Sequence, residues 1–215
     1  TPSGSSNEFR GLLVADLEGV DGPVEVVVTR AASGGANTWV LEANGSTRAG
    51  WPQMSSDSYG YSAGVYNNNA AAGNLDGDAQ LELIVPSDVH YINALKPNGS
   101  SIPSYLPGKY WGHVGAWEDW QEEQSWGDCY NNNAPRNDLY RANFADGPAV
   151  IADVNGDGSR EIVVTGNMYD CRTPYSSRYV ALFIFNANRS RFNSGGYDWR
   201  SIPVDTGAPL SEDYD

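Results

Sequence analysis

Along this chain, short β-branched and aromatic runs alternate with clusters of Gly, Asn, Asp and Pro, and the alternation itself repeats. Three segments share one plan. Each starts with small and apolar residues ("GLLVA", "NAAAG", "GPAVIA") and passes through an acidic, glycine-containing loop into a β-branched run ("VEVVVT", "LELIVP", "REIVVT"). A polar turn then leads to a third run ("NTWVLEA", "HYINALKP", "RYVALFIF"), followed by an Asn-containing turn and an irregular fourth run. Runs this short, bounded by such breakers, are strands rather than helices. A repeated unit of four strands is the plan of a propeller blade. The expected fold class is therefore all-β: a β-propeller of four-stranded blades, about three of them present, as a partial propeller or a fragment.

The blades are expected at residues 10–53, 68–106 and 144–200, with 201–215 starting a further one. Asp16, Asn74 and Asp153 open the three acidic loops, at separations of 58 and 79 residues. The longer gap holds a Trp-rich insertion at 107–143, whose middle, 116–126, is expected to form a short helix. Closed propellers have about four to eight blades. Three are too few for a ring, so the missing blades are expected in a longer precursor or in partner chains.

The acidic loops carry the clearest chemistry. Loop three offers Asp153, Asn155, Asp157 and Glu161 at relative positions 1, 3, 5 and 9, with Ser159 as a backbone-carbonyl donor at position 7. Hard oxygen ligands at alternate positions curl round a calcium ion, and Gly158 at position 6 permits the tight turn. Loop two repeats the spacing with Asn74, Asp76, Asp78 and Glu82, and with Gln80 at the carbonyl position. Loop one offers Asp16, Glu18, Asp21 and Glu25, and aligns only with a one-residue insertion. An EF-hand would place Glu at position 12 between helices. Here Val164 and Val85 occupy that position inside strands, which excludes an EF-hand. A solvated Asp/Asn/Gly turn remains the plain alternative for any one loop; two equally spaced copies favour Ca2+.

In "VIADVNGDGSREIVV", "AAGNLDGDAQLELIV" and, more loosely, "LLVADLEGVDGPVEVVV", the sequence resembles the FG-GAP/VCBS repeats of integrin α-subunit propellers and of many secreted proteins. With the strands that follow, the resemblance covers roughly two-thirds of the chain. It implies a calcium-binding β-propeller, with the loop carboxylates holding calcium between the first two strands of each blade. The Phe-Gly and Gly-Ala-Pro elements of the family are poorly kept, "NFADGPAVIADV" being the nearest approach. The match is thus to the general calcium-loop repeat, and integrin ligand binding does not carry over.

Charge narrows the partners. Among 215 residues, 27 acidic against 13 basic give a net charge of −14, which repels phosphate backbones and anionic membranes. Neither nucleic acid nor membrane insertion is expected, because no apolar run reaches the length of a membrane span. The chain starts "TPSGSSNEFR", without Met, and is read as a processed product. Cys129 and Cys171 are expected to form one disulfide, or else remain two buried thiols. A bridge closing that loop would stabilise the fold by roughly 4 kcal/mol on the chain-entropy account, and would imply an oxidising, extracellular setting.

Three sequons, at Asn44, Asn98 and Asn188, follow the third strand of each repeat. They are glycosylation acceptors or simply hairpin turns. In the insertion, Trp111, Trp117, Trp120 and Trp126 stand beside Glu118, Asp119, Glu122 and Glu123. They either pack the insertion against the blades or form a carbohydrate- or protein-binding surface. The expected function is an extracellular calcium-binding module for adhesion, recognition or scaffolding. The alternative is a propeller-fold polysaccharide-active enzyme such as a rhamnogalacturonan-type lyase. His90 and His113 have no recognisable partner pattern.

Overall fold

The computed structural model describes residues 8–19, 21–31, 36–53, 70–86, 92–105, 107–108, 110–111, 140–144, 148–170, 176–190, 192–194 and 197–198. These residues form an all-β structure built on three antiparallel sheets. The first is a meander of β1 (Glu8–Ala15), β2 (Glu25–Ala31) and β3 (Thr38–Leu41). The second repeats it with β4 (Ala71–Gly73), β5 (Glu82–Pro86) and β6 (Ile92–Leu95).

In the third sheet, β7 (Tyr140–Asn143) and β8 (Val150–Ala152) lie in succession along one edge of β9 (Glu161–Asp170), and β10 (Ser176–Asn186) pairs with the other edge. The end of the segment expected to be an insertion thus contributes the strand β7. A two-residue hairpin, β11 (Asn193–Ser194) with β12 (Tyr197–Asp198), follows.

Register shows that the three sheets are copies. The residue before each acidic loop pairs with the Glu that closes it: Ala15 with Glu25, Gly73 with Glu82, and Ala152 with Glu161. The insertion in loop one therefore lies within the loop and leaves the strand pairing in step.

The turn after the third strand is equally constant. Glu42, Lys96 and Asn186 each accept the N–H of the residue three further on (Gly45, Gly99 and Arg189), whose φ angles are 81°, 82° and 73°. This left-handed conformation suits glycine. In the third copy Arg189 adopts it, with its guanidinium carbon 5.2 Å from the centre of the Tyr105 ring. Asn44, Asn98 and Asn188 are exposed in these turns, each accepting the N–H of the Ser two residues on at 2.9, 3.0 and 3.0 Å. The fourth run of the first two repeats is reduced to isolated bridges, such as Thr38 with Gln53 and Leu95 with Ser101.

β5 is buried along its whole length because the second sheet is covered on both faces. Leu83 and Val85 pack with Leu17, Val27, Val40 and Trp51 of the first repeat. Ile84 packs the other way, with Ile162, Val164, Phe183 and Phe185 of the third. Each such side chain contributes about 1.5–3 kcal/mol by leaving water.

Directional bonds fix the stacking. The Trp51 indole N–H donates to the Pro97 carbonyl at 2.9 Å, and the Trp111 indole N–H donates to the Ala187 carbonyl at 3.0 Å. Pro97 and Ala187 hold the same place in their turns, so each Trp fastens one repeat to the next by the same bond. Trp111 is fully buried and meets Phe185 edge to face, which makes its role packing.

The remaining insertion tryptophans, the expected helix at 116–126, Cys129, Cys171, both histidines and 201–215 lie outside the described residues. No helix of the described residues is long and apolar enough to cross a membrane.

Candidate metal centre

All three loops are anchored by one device. The closing Glu sits at the start of the second strand, where the pairing turns its side chain under the loop. There its Oε2 accepts the N–H of the loop's second residue: Leu17 to Glu25 at 2.9 Å, Leu75 to Glu82 at 2.7 Å, Val154 to Glu161 at 2.9 Å. These three glutamates are only 1%, 0% and 3% exposed. Burial pushes the pKa of each above the ordinary Glu value, with neighbouring carboxylates adding to the rise.

The opening residue caps its own loop. Asp16 accepts from the N–H groups of Glu18, Gly19 and Gly22. Asn74 accepts from Gly77 at 2.7 Å and donates its amide to the Asp78 carbonyl. Asp153 accepts from Gly156, Asp157 and Gly158. These Asx-type bonds explain why Asp or Asn stands first in each loop.

Two groups of carboxylates converge closely enough to hold a metal ion: Asp16, Glu18 and Glu25 in loop one, and Asp76, Asp78 and Glu82 in loop two. Loop two fits a cation best. Glu82 Oε1 is buried with no hydrogen-bond partner, in a residue grouped with the Asp76 and Asp78 carboxylates. Lys96 reaches the rim, 2.6 Å from Asp76 and 3.7 Å from Asp78. Its ammonium holds Asp76 below the ordinary Asp value, and Asp76 in turn raises Lys96. Gln80 is half-buried, and its N–H donates to Asp78 at 2.7 Å.

Loop three keeps the same spacing as loop two, yet its acids are not drawn into such a group. Asp157 accepts instead from the Asn155 amide and the Ser159 N–H, both at 2.8 Å, and these bonds lower its pKa. Apart from Glu161, residues 153–161 are exposed. In loop one Asp21 stands outside the converging group; it is exposed with φ 41°, on the extra length of the loop.

Sequence reasoning passed over two cations, Arg48 and Lys96. The available signal was their place: both flank an Asn-Gly-Ser turn whose strand runs beside the loop. The loops also touch one another. Leu81 N–H donates to the Leu17 carbonyl at 3.0 Å, and Arg160 donates to the Asn74 carbonyl at 3.0 Å. No family model, curated protein or solved structure matches this chain.

Proposed function

We propose that the protein is part of an extracellular calcium-stabilised β-propeller of the FG-GAP/VCBS-repeat kind, serving as a recognition, adhesion or scaffolding module for a protein or carbohydrate ligand. The observation that carries the metal reading is Glu82 Oε1: buried, unpartnered, and grouped with Asp76 and Asp78. A bare buried carboxylate oxygen is costly, and a cation bound there offsets that cost. Carboxylate, amide and carbonyl oxygens on an irregular loop suit Ca2+, which accepts flexible all-oxygen shells, better than Mg2+, which demands a strict octahedron. Loop three has the same register and spacing and closes on calcium in the same way. Such loops fold and bind together.

The propeller reading is supported by the repeated face-to-face stacking and by what the end sheets leave open. Leu12 and Val14 of the first sheet are 65% and 54% exposed, and Val150 and Leu182 of the third are 53% and 42% exposed. On the second sheet, the corresponding faces are covered by the neighbouring repeats. Further blades of the same repeat, from a longer precursor or from partner chains, complete the stack.

The test is a chelator titration of the purified chain, following melting temperature and metal content by elemental analysis. Calcium in the protein and a lower melting point after chelation support the reading; no calcium and no shift refute it. Binding on a glycan array separates carbohydrate recognition from scaffolding. Cleavage of a polysaccharide to unsaturated products would establish the lyase alternative in its place.

A further inference from the structure

We propose that Arg48 stands in for the metal in loop one, making that loop a built-in, metal-independent copy of the site; this rests on the calcium reading of the other two loops. The Arg48 guanidinium bonds Glu18 and lies 3.5 Å from Glu25 Oε1 and 3.7 Å from Glu42 Oε1. Glu18 and Glu25 are two of the three carboxylates that converge in loop one. The third, Asp16, already accepts three backbone N–H groups. Glu25 Oε1, which makes no hydrogen bond, therefore has a cation beside it, whereas its counterpart Glu82 Oε1 has none so close.

The repeat shows that this arginine is a replacement. Arg48 donates its backbone N–H to the Val40 carbonyl, as Ile102 does to Ala94 and Phe192 to Ile184, so the three residues are equivalent. Ile102 packs against the apolar core and Phe192 is buried. Only in the first repeat does this position carry a charge, and the charge turns back to the acidic loop. Its side chain is 15% exposed, against 33% for Lys96. Arginine also stays protonated throughout the working pH range, so the cation is permanent. A divalent ion entering loop one would sit against a like charge and would have to displace a tethered competitor.

The added loop length has the same meaning. An arginine fork joins carboxylates without the 1, 3, 5, 9 ligand order, which leaves loop one free to carry its extra residue while Asp16, Glu18 and Glu25 still converge.

The experiment is calorimetric calcium titration of the chelator-stripped whole chain, wild type against Arg48→Met, with melting curves in chelator and in calcium. The expected result is one more calcium bound by R48M than by wild type. R48M should also show a lower melting point in chelator that calcium restores. Should R48M not fold in chelator, Arg48→Gln, which removes the charge but keeps hydrogen-bond donors for Glu18 and Glu25, is titrated instead, and any uptake beyond wild type supports the substitution. Equal, non-zero calcium uptake by wild type and variants overturns the role of Arg48 while leaving the calcium reading standing. No uptake by any of them overturns both.

Discussion

Replacing Glu82 with Gln separates the two roles that the loop glutamate combines. Gln keeps the carbonyl acceptor for the Leu75 N–H, now bonded to Glu82 at 2.7 Å. It removes the charge from a side chain that is 0% exposed and has one oxygen without a partner. An unsatisfied buried polar atom costs about 1–3 kcal/mol, and the new amide hydrogens can donate to the carboxylates that Glu82 repels. In chelator at pH 7.5, E82Q should therefore melt above wild type. For a chain of this size, the gain corresponds to roughly 2–12 °C.

Calcium reverses the order. At a hundred times its dissociation constant a ligand adds about 2.7 kcal/mol to the folded state; wild type gains this at loop two and E82Q does not. Differential scanning calorimetry of both proteins, with chelator and with calcium, reads the crossing directly. If E82Q melts below wild type in chelator and keeps the full calcium response, the loop-two reasoning is wrong.

Three further outcomes follow from the same structure. In chelator, the raised pKa values of Glu25, Glu82 and Glu161 mean that their contribution is present at pH below 4.5, the ordinary Glu value, and is lost as pH rises through the raised values. Glu18, Asp76 and Asp157, whose values are lowered, contribute the opposite slope, lost as acid is added; urea melts of wild type and E82Q between pH 4 and 8 should differ by the Glu82 part alone. Trp111→Phe removes the N–H that reaches Ala187 and should cost about 1–3 kcal/mol in chemical denaturation, with the stoichiometry of calcium binding unchanged. Gly19→Ala should destabilise by at least about 1–2 kcal/mol from its left-handed backbone alone, with more added because a Cβ there would lie 1.7 Å from the Ala79 carbonyl oxygen; a thermal melt at or above wild type would contradict the loop contact.

The repeat plan was legible because strand period, breaker residues and acidic loops recur together. "VEVVVT", "LELIVP" and "REIVVT" became β2, β5 and β9, and the pairing put loop one in step with the others despite its extra residue. The sequence reads a fourth strand in each repeat, but in the first two repeats that run is held only by single bridges and by Trp indole bonds to the next repeat, which no local pattern encodes. Tyr140–Asn143 read as insertion because four residues bear no periodicity; their place in β7 comes from the long β9 opposite.

At the site, spacing found the loop acids and gave loops two and three one pattern, but only loop two's acids converge. Convergence depends on what else each acid bonds, and Asp157 is drawn to Asn155 and Ser159. Arg48 and Lys96 were passed over as loop partners because they are distant in sequence, 30 residues from Glu18 and 20 from Asp76, and only their shared place beside an Asn-Gly-Ser turn marks them.

The most direct test of the central claim is an anomalous-scattering map from crystals of the chain grown with calcium. The account predicts a peak in loop two within about 2.3–2.6 Å of Glu82 Oε1, with Asp76 and Asp78 turned to it and Lys96 moved aside. Full calcium occupancy in solution conditions with no peak there, and Lys96 still on Asp76, would contradict it.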